Sequence, residues 1–169
     1  MTSAAAESPP RTLLVVGHGE VSAALDSIAT TLGWKPVIVE TLDDAKDAIT
    51  ALSAFDAVVV TSHHDGTDGP ALAAAVASDV GYVGAMGSRK TQARRREWML
   101  DHGVPQDLVD SVRGPAGLDI GSNTPAEIAV SMVAEIIAVH RGVTGGSLSD
   151  RTGQIHPDLV PGTAECPAG

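Results

Sequence analysis

The sequence predicts a single doubly wound α/β domain, with a mainly parallel sheet and helices on both faces. Short apolar runs alternate with amphipathic stretches, so that strand and helix signals follow one another as β-α-β-α-β from residue 12 onward. The runs 13–16 and 58–60 are apolar at every position, as expected for parallel strands covered on both faces. A length of 169 residues fits one such domain.

Each predicted element has its own sequence signal. Asp68 is a predicted helix cap, and Ser88 and Gly103 are predicted to bound a long polar helix. We predict strands at 12–17, 36–40, 56–61 and 81–87, and helices at 21–33, 43–55, 68–79, 88–102 and from Pro105.

The final helix is marked at both ends. Thr124 and Glu127 form a capping-box pattern, and Gly142 stands where a helix-ending residue belongs. An apolar stripe runs along one face, whereas Ser131 and Glu135 fall on another. We expect the stripe to pack on the sheet and to leave apolar surface for a homodimer.

The chain ends and the composition narrow the class of protein. Residues 1–11 and 143–169 lack a periodic apolar face, so residues 12–142 are the predicted domain between two flexible tails. Eleven Lys and Arg against 21 Asp and Glu give a net charge of −10, which opposes binding to nucleic acid or to an anionic membrane. The single cysteine and the lack of a signal peptide or long apolar run predict a cytoplasmic protein.

A glycine-rich turn follows the first predicted strand. Gly17 and Gly19 stand where a dinucleotide-binding turn brings the backbone close to a pyrophosphate, and Glu40 ends the second strand like a ribose-binding acid. Ser22 replaces the smaller third residue of that pattern, and Glu20 adds a carboxylate that would repel a phosphate unless it points away. The turn is therefore either a nucleotide site or a simple tight turn, and Glu40 is either a ribose ligand or an exposed acid.

A second polar cluster follows the third strand. His63, His64, Asp65 and Asp68 are expected near Gly17, because the carboxyl ends of parallel strands share one edge of a sheet. These side chains could ligate a metal, but their spacing matches no specific metal signature. Substrate contact or helix capping explains the loop equally well, and we assign no metal.

A basic segment follows the fourth strand. Five of the 11 basic residues lie within 89–96, and a glycine turn into a helix N-terminus with Arg and Lys is typical of an anion site. The predicted anion site consists of Gly84, Gly87, Ser88, Arg89 and Lys90. Residues 94–96 lie one to two turns away and are predicted to form a solvated face or a docking surface.

The loop 117–124 precedes the final helix. Its Asp119 and Asn123 could read a heterocycle, or its glycines could simply permit a turn. No pattern for covalent catalysis is present, because Cys166 lies in a predicted tail and no GxSxG motif occurs. Binding is favoured over turnover.

Three segments together resemble a known family. HHDGTD (63–68), YVGAMGSRK (82–90) and GPAGLDIGSNTPAEIAVSMVAEIIA (114–138) are similar to the Rossmann-like C-terminal domain of the XdhC/CoxI family, the accessory proteins of xanthine dehydrogenase and carbon monoxide dehydrogenase. The resemblance covers about residues 12–142. It implies a Rossmann-like fold and binding of the molybdenum cofactor, as molybdopterin or its dinucleotide form, for sulfuration and insertion into a molybdoenzyme.

The resemblance also implies roles and partners. The glycines and the basic cluster would hold phosphates, Glu40 a ribose, and His63, His64 and Asp119 the heterocycle end. The implied partners are a molybdenum hydroxylase of the xanthine or CO dehydrogenase type and a cysteine desulfurase. The chain departs from the family at residues 17–21, where GHGEV replaces GAGHV, and Cys166 does not match the cysteine-bearing motif of the family's N-terminal domain.

Two other function classes stay open. An NAD(P)-dependent oxidoreductase, or another nucleotide-binding protein, would use the same glycine turn and Glu40. A pure interaction module would dock its basic helix on an acidic partner. The expected function is that of a cofactor chaperone rather than an enzyme.

Overall fold

A parallel four-stranded sheet forms the centre of the computed structural model, which describes residues 11–153 and residue 155. The strands are β1 (Thr12–Val16), β2 (Lys35–Val39), β3 (Ala57–Val60) and β4 (Tyr82–Ala85). The helices are α1 (Glu20–Thr31), α2 (Leu42–Ile49), α3 (Asp65–Val76), α4 (Arg89–Asp101), α5 (Gln106–Ser111) and α6 (Pro125–Arg141), and a 3-10 turn follows at Leu148–Asp150. The strand order is β2-β1-β3-β4, which confirms the predicted Rossmann-like α/β fold.

Alternate residues of the strands pack into two separate hydrophobic cores, one on each face of the sheet. Leu13 and Val15 pack with α1 and α6 on one face, whereas Leu14 and Val16 pack with α2, α3 and α4 on the other. A strand buried on both faces needs apolar residues at every position, because successive side chains point to opposite sides. The continuous apolar runs of the sequence have this cause.

The connections that follow β1 and β2 lead to opposite sides of β1, so the strand order reverses between β1 and β3. From β1 the chain crosses to β2 on one side, and from β2 it returns to β3 on the other side of β1. Val16 at the end of β1 is in register with Val39 of β2 and Val60 of β3, so the loops after these strands open at the same edge. Ligands of open α/β sheets bind at such a switch point.

Helix boundaries agree with the sequence to within two residues except at α2, which ends at Ile49 rather than at 55, and at α3. Ser88 accepts a hydrogen bond from Thr91 N–H as the cap of α4, and α6 has both halves of its capping box and a left-handed C-cap at Gly142. The predicted cap at Asp68 is wrong, because α3 begins one turn earlier and Asp68 is buried inside it. The helix continues through Pro70, which lies in its interior.

Several polar side chains of α4 and α6 are buried or hydrogen-bonded within the protein. Arg95, assigned to a solvated or docking face, is buried and paired with Asp68. Ser131 is buried, and Glu135 accepts hydrogen bonds from Tyr82 Oη at 2.6 Å and Gly117 N–H at 2.9 Å. The loop before α6 packs against Ser131 and Glu135 of that helix.

The predicted tails lie mostly beyond the structure. Residues 1–10, 154 and 156–169 are outside the described residues, and Cys166 is among them. The flexibility of 1–11 and 143–169 therefore stays a prediction. Within the described part of the chain, no helix has the length and apolarity needed to cross a membrane.

Candidate functional site at the strand switch point

A cleft of about 480 Å³ opens at the carboxyl ends of β1 and β3. It is lined by residues 17–22, Glu40, residues 61–64, Met86 and Pro125. These residues follow β1, β2, β3 and β4 or begin α6, so the shared edge of the sheet assembles them. The cleft lies where the strand order predicts a ligand site.

Glycine is required at the floor of the cleft. Gly17 has φ +118°, and a Cβ built there would lie 2.5 Å from the Ser62 nitrogen. Gly19 has φ +137° but faces open space, with no atom within 4 Å of such a Cβ. Glycine is therefore required at position 17 both by the close packing of two loops and by its positive φ angle. At position 19 it is required by the positive φ angle alone.

Ser22 fits the packing site that usually holds a smaller residue. It is buried, donates a hydrogen bond to the Gly17 carbonyl at 3.0 Å, and lies 2.9 Å from Thr61 Oγ1. Thr61 Oγ1 also lies 3.3 Å from the Val16 carbonyl oxygen. The hydroxyls join the turn after β1 to the end of β3, so the serine substitution preserves the tight turn.

The start of α1 faces the cleft without a side-chain cap. Gly19 is its N-cap residue and supplies no side-chain acceptor. The first N–H groups of a helix lack intrahelical acceptors and carry a partial positive charge, which suits a phosphate. Glu20 lines the same cleft, so its carboxylate opposes that attraction.

Glu40 is exposed at the end of β2, and His18 lies beside it. The His18 Nδ1 and Glu40 Oε2 atoms are 3.3 Å apart, and both side chains are largely exposed. A carboxylate here can accept hydrogen bonds from two adjacent hydroxyls, as a ribose offers. Sequence reasoning identified Glu40 but not His18 as its neighbour.

His63 and His64 line the cleft from the loop after β3. The four ionisable side chains of this loop do not converge, because Asp68 turns into the protein and Asp65 pairs with Arg94 at 3.1 Å. Among the residues that the structure describes, no group of three or more His, Cys, Asp or Glu could hold a metal ion. The described side chains of this loop therefore offer no converging ligand set for the metal alternative.

The other predicted ligand residues do not line the cleft. Gly84 is buried in β4, where a Cβ would lie 2.6 Å from Tyr82 Oη, so its role is packing. The hydroxyl of Ser88 caps α4. Five further predicted residues lie outside the cleft wall: Gly87, Ser88 and the exposed Arg89, Lys90 and Asp119.

A family model identifies the chain. The model of the XdhC Rossmann domain matches residues 13–136, which include all four strands and most of α6. The chain belongs to the XdhC family. The cleft therefore lies in the Rossmann domain of an XdhC protein.

Several relatives of this XdhC domain are longer proteins. It is 33% identical over 156 residues to a probable xanthine dehydrogenase subunit of Bacillus subtilis (strain 168), covering 81% of this chain and 45% of that protein. It is 24% identical over 127 residues to the molybdenum cofactor insertion chaperone PaoD of Escherichia coli (strain K12), covering 75% and 39%. With YqeB of the same strain the identity is 25%, over 79% of this chain and 28% of YqeB. The chain spans less than half the length of these relatives.

A crystal structure shows the same fold. A xanthine dehydrogenase from Bacillus halodurans superposes with a TM-score of 0.65 and 23% identity, over 81% of this chain and 44% of that one. At this identity the likeness of the XdhC domain concerns the fold alone.

Proposed function

We propose that this chain is a maturation factor that binds the molybdenum cofactor in the switch-point cleft and delivers it to a molybdenum hydroxylase of the xanthine or CO dehydrogenase type. The observation that carries the proposal is the cleft itself, built on a required glycine turn within an XdhC domain. The PaoD relative, named as an insertion chaperone, supports the assignment. A cysteine desulfurase that sulfurates the cofactor is the proposed second partner.

The residues of the cleft fit a phosphate-bearing ligand. Gly17 and Gly19 leave the turn without Cβ atoms, and the uncapped first turn of α1 presents N–H donors beside them. We assign the phosphate of the cofactor to this turn. A cofactor held there supplies molybdenum chemistry to the recipient enzyme, while this chain orients it and limits its contact with water.

Further side chains are assigned along the ligand. Glu40, which has His18 beside it, takes the ribose of a dinucleotide form, and His63 and His64 lie at the heterocycle end. Arg89 and Lys90 follow Met86 of the cleft wall by three and four residues, so we assign them to a phosphate that extends beyond the wall. Asp119 also lies outside the wall, and we assign it a contact with the part of the ligand that extends out of the cleft.

Native mass spectrometry tests the proposal. Purified protein is mixed separately with molybdopterin-type cofactor, its dinucleotide form and NAD, and the mass of each complex is recorded. A pterin adduct on the folded chain supports the assignment, and no adduct with any form of the cofactor refutes it. The same spectrum reports the proposed homodimer, for which Val130 and Ile137 leave exposed apolar surface on α6.

A matched pair of variants tests the ribose assignment. Glu40→Gln removes the acceptor charge in the cleft, whereas Asp47→Asn makes the same change on the exposed face of α2, away from the cleft. Glu40→Gln is expected to weaken the dinucleotide form at least tenfold and to change molybdopterin binding little. Equal losses for both ligands would remove Glu40 from the ribose site.

The second candidate function is an NAD(P)-dependent oxidoreductase. It is favoured by the acid at the end of β2 beside a glycine turn, since this pair recognises the adenosine ribose in dehydrogenases. Selective retention of NAD in the mass spectrum, with hydride transfer to a carbonyl panel at the nicotinamide absorbance band, would establish it. Failure to bind NAD would end it.

The structure gives less support to the alternative that the basic helix α4 docks on an acidic partner. Arg95 is buried, and the exposed Arg94 and Arg96 already pair with Asp65 and Asp110. Few uncompensated cations remain in the described part of α4 for an acidic partner.

A further inference from the structure

A buried ion pair lies beneath the cleft between α3 and α4. Arg95 Nη2 is 2.6 Å from Asp68 Oδ2, and the side chains are only 5% and 2% exposed. Sequence periodicity offered one signal for Arg95, which shares a helix face with Trp98 and Met99 at i+3 and i+4. Neither residue touches the cleft directly, since neither lines it.

The guanidinium of Arg95 joins the ends of two neighbouring strands. Nη1 donates to the Met86 carbonyl at 2.5 Å, just after β4, and Nη2 donates to the Ser62 carbonyl at 2.9 Å, just after β3. The planar fork of arginine can make these bonds and contact Asp68 at once, whereas a lysine ammonium is a single point. One side chain therefore sets the spacing of two loops that form the cleft wall.

Asp68 extends this network to the histidines. Its Oδ1 accepts a hydrogen bond from Ser62 Oγ, and Ser62 Oγ in turn accepts one from the His64 backbone N–H at 3.2 Å. The Ser62 nitrogen is also the atom against which Gly17 packs. The ion pair is thus connected through Ser62 to the backbone that carries His63 and His64 and to the turn after β1.

A buried ion pair is by itself weak evidence for added stability. Two charges removed from water lose hydration, and well-packed apolar residues of similar volume often give equal or greater stability. A buried pair with fixed geometry is instead suited to holding loops in one arrangement.

We propose that Arg95, acting through Asp68, Ser62 and Met86, is a positioning residue of the cleft that holds the loops after β3 and β4 in their ligand-binding arrangement. The effect on ligand affinity rests on the proposed cofactor-binding function. The effect on the loops does not, because it concerns the protein without ligand.

The same two helices provide a matched control. Arg94 and Asp65 form an ion pair at 3.1 Å, but their side chains are 56% and 77% exposed. The double variant R95M/D68L removes the buried pair together, so that no isolated charge is left inside. R94M/D65L removes the exposed pair with the same substitutions.

Hydrogen exchange of the unliganded protein is the primary measurement. In R95M/D68L, amide exchange at His64 and in residues 84–90 is expected to rise at least tenfold, while β1 and α6 exchange at the wild-type rate. R94M/D65L should leave residues 62–64 and 84–90 unchanged. A folded R95M/D68L protein with wild-type exchange in these loops would overturn the proposal.

R95K provides a test if the double variant does not fold. Its charge remains beside Asp68, but one ammonium cannot replace the three-way guanidinium contact, so His64 exchange should still rise. Wild-type exchange in R95K would overturn the positioning role.

Ligand affinity separates the two proposals. Kd for molybdopterin-type cofactor should rise at least tenfold in R95M/D68L or R95K, and should stay within twofold in R94M/D65L. If wild-type protein binds no form of the cofactor, the proposed function fails, and the exchange data alone decide the role of Arg95. Faster loop exchange with unchanged affinity would refute positioning for the ligand.

Discussion

Substitution of Gly17 by alanine tests whether the turn after β1 is built by contact with the loop after β3. The new Cβ would lie 2.5 Å from Ser62 N and 2.8 Å from Thr61 Oγ1, at a residue whose φ is +118°. At the first distance the backbone of the neighbouring loop must move. Gly19→Ala is the matched control, because its φ of +137° imposes strain without any close atom.

The expected cost separates into two parts. A non-glycine residue in a sparsely populated backbone region costs about 1–3 kcal/mol, and this applies to both variants. Forcing a methyl group into packed structure costs roughly 1–3 kcal/mol more, and this applies to Gly17→Ala alone. Gly17→Ala should therefore lower the free energy of unfolding by about 2–6 kcal/mol, and Gly19→Ala by about 1–3 kcal/mol.

Urea denaturation followed by far-ultraviolet circular dichroism measures both values in one experiment. With roughly 2–4 °C of melting temperature per kcal/mol for a chain of this size, thermal scans should separate the variants by roughly 2–12 °C. Equal m-values would indicate that the unfolded states are comparable. Coincident unfolding midpoints for the two variants would show that the contact between Gly17 and Ser62 has no energetic role, and the reasoning would be refuted.

Four further predictions concern the caps, a buried phenol and the charge of the cleft. Thr124→Ala removes the acceptor of the Glu127 N–H and should lower the free energy of unfolding by about 1 kcal/mol in the urea assay, and an unchanged value would contradict the cap. Hydrogen bonds from the backbone N–H groups of Thr124 and Asn123 lower the pKa of Glu127. The contribution of this carboxylate to stability is therefore present at neutral pH and is lost as pH falls below about 4.3. Glu127→Gln should make the melting temperature less dependent on pH on the acid side. Burial, followed by the hydrogen bond to Glu135, raises the pKa of Tyr82, so the stability of the wild type should fall above about pH 10. Tyr82→Phe should be less stable by about 1–2 kcal/mol at neutral pH, and its stability should not show that fall. Glu20→Gln should tighten phosphate-ligand binding roughly two- to fivefold in a titration, and weaker binding would mean that Glu20 contacts the ligand.

The sequence was sufficient for the elements whose signals are local. The apolar runs of β1 and β3 identified buried parallel strands, and the capping box at Thr124 with Gly142 located both ends of α6. The position of Gly17, Gly19, Glu40 and the two histidines in one cleft followed from the same logic, because parallel strands bring their carboxyl ends to one edge.

Tertiary contacts decided the side chains whose local signal is ambiguous. An arginine among three consecutive arginines looks solvated, yet Arg95 is buried because Asp68 and two strand-end carbonyls lie opposite it. Which arginine enters the protein depends on the distance between α3 and α4, and that distance is set by the packing of both helices on the sheet. The sequence by itself determined the layers, the strand pattern and the edge of the sheet at which the cleft forms, since these follow from periodicity. The partners of buried charges arise from residues far apart in the chain, so only the folded structure determines them.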